Sequence, residues 1–229
     1  KYMVFVSEFK HFYSLYKLGK FYLKGKYIGK DLNKVIQYFT LSAEKNYIKS
    51  LCFLGGIYSQ GIIVQSDINK AIKYLTIAAN LNDRTAQYNL GVIYSDINYV
   101  DIDMDKAIHY FTLSANQNFA PAQLDLGMIY INTDIKKTIY YLELAGNNNF
   151  PSAFCNLGNM FILGIGVKYD VDKALYYFER AADQNEPNSQ YILGSLFYEG
   201  KHIRKDVNKA IYFFEKAANQ NHTSAQLNL

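Results

Sequence analysis

No apolar run in this sequence approaches the ~20 residues of a membrane-spanning helix, so no such span is expected. Tryptophan is absent, whereas tyrosine and asparagine are used heavily. There is no initiator methionine and no signal-peptide pattern. Only two cysteines occur, Cys52 and Cys155, in one repeated slot three units apart. A disulfide needs Cα atoms within roughly 7 Å, and layers of helices ~8–10 Å apart separate these two too widely. They read as reduced, buried packing residues, which favours a reducing, cytoplasmic compartment. The charge is nearly balanced, with 24 basic and 20 acidic residues and a net charge of +4. This gives little reason to invoke nucleic acid or an anionic membrane. His11, His109, His202 and His222 are scattered, and none has a Cys, Asp or Glu at metal-binding spacing. No Gly-x-Ser-x-Gly, His-Glu-x-x-His or Gly-x-x-x-x-Gly-Lys pattern is present. Neither an enzyme nor a cofactor nor a metal is therefore expected. Asn221-His222-Thr223 is a formal glycosylation sequon and reads as chance.

What is there is a repeat. A Leu-Gly pair recurs at Gly19, Gly55, Gly91, Gly127, Gly158 and Gly194, spaced 36, 36, 36, 31 and 36 residues apart. A fixed period of this length means a solenoid, in which each unit packs on its neighbours. An aromatic stands three residues after each Gly: Tyr22, Tyr58, Tyr94, Tyr130, Phe161 and Phe197. A small residue stands five before it. These offsets fit the rows of a helix, the first of each unit. A mid-helix Gly costs roughly 1 kcal/mol relative to Ala, so its recurrence implies close approach of a neighbouring helix, with a ring filling the gap. Phosphate-cradling loops are a poorer reading, because the strand and loop context is missing.

Each first helix is expected to end at Gly25, Gly61, Gly164 or Gly200, with Asn98 and Asn132 nearby in units three and four. A short apolar turn (Ile28, Val64, Val100, Val167, Ile203) leads into Asp-x-x-Lys: Asp31/Lys34, Asp67/Lys70, Asp103/Lys106, Asp134/Lys137, Asp170/Lys173 and Asp206/Lys209. The Asp suits the N-cap of a second helix. Metal ligation is the weaker reading, since each Asp lies in its own layer without a second ligand. An apolar pair and then a small pair follow each Lys. Twelve residues after it comes Asn46, Asn82, Asn118, Asn149, Asn185 or Asn221, suited to a left-handed C′ position. Unit four is five residues short between Gly127 and Lys137, which predicts a tight turn around Asn132-Thr133-Asp134.

Small-x-x-x-Leu-Gly-x-x-Tyr, Gly-x-Gly-Val, Asp-x-x-Lys-Ala, an aromatic pair and Ala-Ala together resemble the Sel-one-like repeat (SLR) family, relatives of tetratricopeptide repeats. The stretch from Ala153 to Ala182 matches best, with Gly164-Ile165-Gly166-Val167 intact. Departures are Asn in place of Gly after the second helix, Val35 and Thr138 in place of Ala, and the shortened fourth unit. The resemblance implies an all-α, right-handed α-solenoid superhelix of antiparallel, tetratricopeptide-like helix pairs. The expected organisation is a cap or remnant of a preceding segment at 1–11, six units at 12–47, 48–83, 84–119, 120–150, 151–186 and 187–222, and the start of a seventh at 223–229. The chain is thus expected to be a piece of something longer. Members of the family resemble scaffolds and adaptors in endoplasmic-reticulum degradation, signalling and host–microbe contact, and some are fused to protein kinase domains. A disulfide-rich secreted branch pairs cysteines within each repeat, a pattern this chain does not follow.

At 100° per residue, the first-helix positions −2, +1 and +5 from the Gly form the arc not used for packing. They vary from unit to unit: Lys17, Lys20, Lys24; Phe53, Gly56, Gln60; Asn89, Val92, Asp96; Asp125, Met128, Asn132; Asn156, Asn159, Leu163; Ile192, Ser195, Glu199. In tetratricopeptide-like stacking the first helices line the concave surface, which makes this arc a candidate groove for a protein or peptide partner. An ordinary solvated face is the bland alternative. The function expected is a non-catalytic interaction scaffold; the alternative is a regulatory or substrate-recruiting arm of a larger enzyme, such as a kinase.

Overall fold

The computed structural model describes residues 11–25 and 29–229. The expected N-terminal cap, apart from His11, and the turn residue Ile28 lie outside these. The described residues contain thirteen helices and no strand. Six pairs run in order: α1 (Phe12–Lys24) with α2 (Leu32–Ala43), α3 (Ile48–Gln60) with α4 (Ile68–Asn80), and α5 (Arg84–Ser95) with α6 (Met104–Ala115). There follow α7 (Ala120–Ile129) with α8 (Ile135–Asn147), α9 (Ser152–Leu163) with α10 (Val171–Asp183), and α11 (Pro187–Glu199) with α12 (Val207–Ala218). A short α13 (Thr223–Leu227) closes the series. The chain divides into two compact units, residues 1–117 and 118–229. Inside each, a first helix packs on the second helix that follows, and that second helix packs on the next first helix. In the first unit α3 also touches α5.

Local chemistry explains the boundaries. All six Asp residues sit at N-caps, with a carboxylate oxygen accepting the Lys backbone N–H at 3.0–3.1 Å. That N–H is the main cause holding Asp31 and Asp67 below the usual carboxylate range; at Asp103 the Lys106 ammonium is the larger cause. All six Asn residues are left-handed, with φ between 56° and 63°. After α2, α4, α8, α10 and α12, the residue following the Asn donates its N–H to the first carbonyl of the small pair, as from Glu186 to Ala181 at 3.0 Å. This uses carbonyls that the helix end would leave orphaned.

The first helices end as expected at Gly25, Gly61, Gly164 and Gly200, all left-handed. Asn98 and Asn132 do not take that role. In α5 the chain turns extended at Asp96, whose Oδ1 accepts the Asn98 N–H at 2.9 Å. The slot that holds Gly in four of the units is occupied here by Ile97, which is β-branched and resists positive φ. In unit four the tight turn is present, and it keeps one bond common to the longer loops. The N-cap Asp N–H donates to the carbonyl of the aromatic three after the Gly: Asp67 to Tyr58, Asp103 to Tyr94, Asp170 to Phe161, Asp206 to Phe197, and Asp134 to Tyr130 at 2.8 Å. The missing five residues come out of the loop alone.

The repeated glycines are buried against the second helix. A Cβ at Gly19, Gly91, Gly158 or Gly194 would lie 2.5–2.8 Å from the ring of Phe39, Phe111, Phe178 or Phe214. At Gly55 and Gly127 the filler is a leucine, Leu75 or Leu142, and not the expected ring. Phe39, Leu75, Phe111, Leu142, Phe178 and Phe214 are all at most 3% exposed.

The Lys of each motif has a role beyond helix pairing. Its Nζ lies 4.6–5.3 Å from the ring three after the Gly, in all six repeats. That ring stacks on the aromatic four residues after the Lys: Tyr22 on Tyr38, Tyr58 on Tyr74, Tyr94 on Tyr110, Tyr130 on Tyr141, Phe161 on Tyr177, Phe197 on Phe213, with centroids 5.6–6.1 Å apart. Cation, ring and ring clamp the two helices of each hairpin.

Substituting alanine for Gly158 should destabilise the protein by about 1–3 kcal/mol, because the Phe178 ring must shift. Alanine at Gly56, where nothing lies within 4 Å of the added Cβ, should stabilise it by about 0.5–1 kcal/mol through helix propensity. Urea unfolding midpoints test the pair; movement in the same direction would refute close packing as the cause of the repeated Gly.

Candidate partner-binding face

With the packing arc occupied by the hairpin contacts, the −2, +1 and +5 positions of the first helices stand at its margin. Lys17, Phe53, Asn89, Val92, Asp125, Asn156, Asn159, Ile192 and Ser195 are half-buried. Lys20, Lys24, Gln60, Met128, Asn132, Leu163 and Glu199 are exposed. The +5 position therefore reaches furthest into solvent in most repeats.

The side chains differ in how free they are. Lys17 and Lys20 place Nζ 5.2 and 5.6 Å from the rings of Tyr13 and Tyr16, one turn back on the same helix. Phe53 stacks on Phe39 with centroids 4.0 Å apart, so its outer face alone is available. Asp96 also accepts the Asn98 side-chain amide at 2.7 Å and works as a cap as much as a face residue. Ser195 Oγ donates to the Tyr191 carbonyl of its own helix at 3.1 Å. In the second unit the structure joins two residues of the arc from successive repeats: Asn156 Nδ2 lies 3.8 Å from the Met128 sulfur. Asn159 Nδ2 lies 3.8 Å from the Cys155 sulfur, tying the arc to the seam beside it.

The cysteines, three residues before the repeated Gly, border this face. Cys155 is buried, whereas Cys52 is only half-buried, short of the full burial expected. The Cys52 thiol donates to Asp83 Oδ1 at 3.4 Å. Burial first, and then the Asp83 carboxylate, push it up to about 12. Burial pushes Cys155 up to about 11. Asp83 and Glu186 cap α5 and α11. The sequence pattern missed these caps because they occupy a slot that is acidic in two of seven cases. Each stands at the end of a unit that has a cysteine in its first helix, Cys52 before Asp83 and Cys155 before Glu186, and that coincidence was the available signal.

His202 Nδ1 lies 2.7 Å from Tyr169 Oη, and His222 caps α13 through Nδ1 while stacking on Tyr191. Among the described residues no three His, Cys, Asp or Glu side chains group as a metal site, and no helix is long and apolar enough to cross a membrane.

The fold and this face define a protein of stacked helical hairpins, uniform in frame and varied along one side. A model of the Sel1 repeat matches residues 12–47, 48–83, 84–119, 120–150, 151–186 and 187–222, and the chain belongs to the Sel1 repeat family. It is similar to the crystal structure of a protective antigen present in uropathogenic Escherichia coli strains that displays an SLR fold: 25% identity, TM-score 0.86, 99% of this chain and 50% of that one. It is also similar to a Sel1 repeat protein from Oxalobacter formigenes, with 28% identity, TM-score 0.82, and 96% and 65% of the two chains covered. The immunity protein PA5088 from Pseudomonas aeruginosa shares the fold at 14% identity and TM-score 0.56, over 90% of this chain and 82% of that one. The chain thus spans half the length of the first of these relatives and 65% of the second. No curated protein matches it.

Alkylation of the native thiols should be slow. At pH 8 a thiol pushed up to about 12 is ionised roughly a thousandfold less than an ordinary one near 8.5. The Cys52 rate should keep rising with pH beyond 9, and both rates should recover on unfolding in urea. Because the folded state keeps these thiols neutral, stability should fall as pH rises above the ordinary thiol value. Iodoacetamide kinetics followed by mass spectrometry check this; a plateau near pH 9 in the native protein would contradict it.

Proposed function

We propose that this chain is a non-catalytic interaction scaffold that holds a protein or peptide partner along the face of its first helices. The observation that carries the reading is a contrast within each repeat. The caps, the Gly contact and the Lys–ring–ring clamp recur from hairpin to hairpin. The −2, +1 and +5 positions carry lysine, phenylalanine, asparagine, aspartate, methionine, serine and glutamate in turn. A frame held constant beneath a changing face presents different side chains at regular intervals, as an extended or helical segment requires for recognition at several pockets. Membership in a family whose fold is a repeat scaffold supports the same reading. The basic triad Lys17, Lys20 and Lys24 suits acidic residues of the partner, Phe53 an apolar side chain, and Asn89 and Asn156 its backbone amides.

Replacing Asn89, Asp125 and Asn156 together by alanine should reduce capture of the partner by about tenfold or more. The melting temperature should stay within about 2 °C, since none of the three fills the core. Quantitative affinity capture of wild type and variant, with calorimetry alongside, makes the comparison. Unchanged recovery of the wild-type partner would refute the groove.

A further inference from the structure

We propose a second surface, used for self-association: the basic loop edge between α11 and α12 docks the acidic loop between α5 and α6 of another copy of this chain. The two loops hold equivalent places in their repeats, and each forms a shallow cleft beside the ring that carries the clamping lysine. The cleft of the third repeat, about 580 Å³, is lined by Tyr94, Asp101, Ile102, Asp103, Asp105 and Lys106 among others. That of the sixth, about 540 Å³, is lined by Phe197, Ile203, Arg204, Lys205 and Val207 among others. Their charges are opposite. Asp96, Asp101, Asp103 and Asp105 fall within a ten-residue stretch at the first; Lys201, Arg204 and Lys205 fall within a five-residue stretch at the second. The corresponding loop of the second repeat, Ile62–Ser66, is uncharged, and the fourth repeat has lost its loop.

Among the described residues each cluster keeps charges without an ion-pair partner. Asp103 is bound to Lys106, and Asp96 to Asn98, but Asp101 and Asp105 are exposed and form no ion pair among the described residues. Lys201, Arg204 and Lys205 are exposed and likewise form none; Lys205 lies over the Tyr198 ring at 4.9 Å. Like charges crowded without partners repel, and an opposite cluster relieves both. Each loop also shows apolar side chains to water. Ile97 is 73% and Ile102 52% exposed on the acidic side, Tyr198 56% and Val207 46% on the basic side. Charge to steer and apolar surface to bury are the two components of a docking patch. A second copy of the chain supplies both complements at once.

The contact is heterologous, so a pair of copies retains one free loop of each sign, one on each copy, and association can propagate. Two loops bury less than the ~1,200 Å² of a stable complex, which makes the association weak and rapidly reversible.

Sedimentation velocity of the purified chain from about 10 to 300 µM, in about 20 mM and then 500 mM NaCl, tests this through screening. The sedimentation coefficient should rise with concentration at low salt, and the dissociation constant should weaken about tenfold at high salt. Asp101→Lys with Asp105→Lys should abolish self-association, as should Lys201→Glu with Lys205→Glu, while circular dichroism and the melting temperature stay unchanged. The chain carrying all four reversals should associate again to within about threefold of wild type, because the loops are then complementary in the opposite sense. A wild type that is monomeric throughout, or association that survives either double reversal, overturns the proposal. A monomeric chain that binds phosphatidylserine vesicles through Lys201 and Lys205 overturns it as well, in favour of an anionic surface. None of the four substituted residues lies on the first-helix face, so the outcome is separate from that of the groove.

Discussion

The repeat depends on one steric constraint, the approach of each second helix onto a first helix that has no side chain at the point of contact. A Cβ at any of the six glycines would fall 2.5–2.8 Å from Phe39, Leu75, Phe111, Leu142, Phe178 or Phe214. Protein interiors are packed too closely to absorb that locally, so the glycine sets the hairpin's separation and the large side chain sets its register. Helix propensity is sacrificed at the centre of each first helix, and the buried ring or leucine more than offsets the roughly 1 kcal/mol involved.

Once that contact fixes the centre of the hairpin, the ends need only local bonds. The Asp cap, the Lys over its ring and the Asn at positive φ all act within one repeat. This explains how unit four loses five residues without losing the hairpin. Leu142 still fills the space over Gly127, Lys137 still lies 4.6 Å from the Tyr130 ring, and Asp134 still donates to the Tyr130 carbonyl. Loop length is the one variable that these contacts leave free.

The division between local and tertiary chemistry also accounts for what could be read from the sequence. The Asp caps and Asn C′ positions are encoded by residues within a few places of where they act, and both are found as read. The Gly contact was legible as a need for space, but whether a ring or a leucine fills it depends on the second helix; repeats two and four use leucine. At the ends of α5 and α7 the nearby Asn98 and Asn132 do not replace Gly, because Asp96 closes one end in an extended conformation and the tight turn expected from the shortened loop closes the other. The clamp was hidden in plain spacing: an aromatic three after the Gly and another four after the Lys meet only once the hairpin has folded. For the face, the sequence gives the identities of the side chains, and only the packing shows that Phe53 is already stacked on Phe39 and Ser195 bonded to its own helix.

The seams between hairpins are individual where the hairpins are alike. Beside the −3 position of one first helix lies the N-cap of the next, and the pairs match in kind. Tyr16 meets Tyr47 with centroids 5.1 Å apart, Tyr191 meets His222 at 4.7 Å, and the Cys52 thiol donates to the Asp83 carboxylate. Within their own hairpins Gln87 accepts from Gln117, Gln190 from Gln220 and Gln123 from Asn148, at 2.7–2.9 Å, and across the seam the Gln87 and Gln190 amides donate to the Ala79 and Ala182 carbonyls at 3.3 and 3.2 Å. Where Phe154 takes the glutamine's slot, its ring fills the space over Gly146, the glycine that replaces alanine in the preceding small pair; a Cβ there would lie 2.6 Å from the ring. Exchanging neighbours would set an aromatic against a carboxylate or a ring against a methyl. The hairpins are therefore interchangeable in their frame but not in their order, and fixing the order gives each varied side chain of the first helices a defined place along its unit.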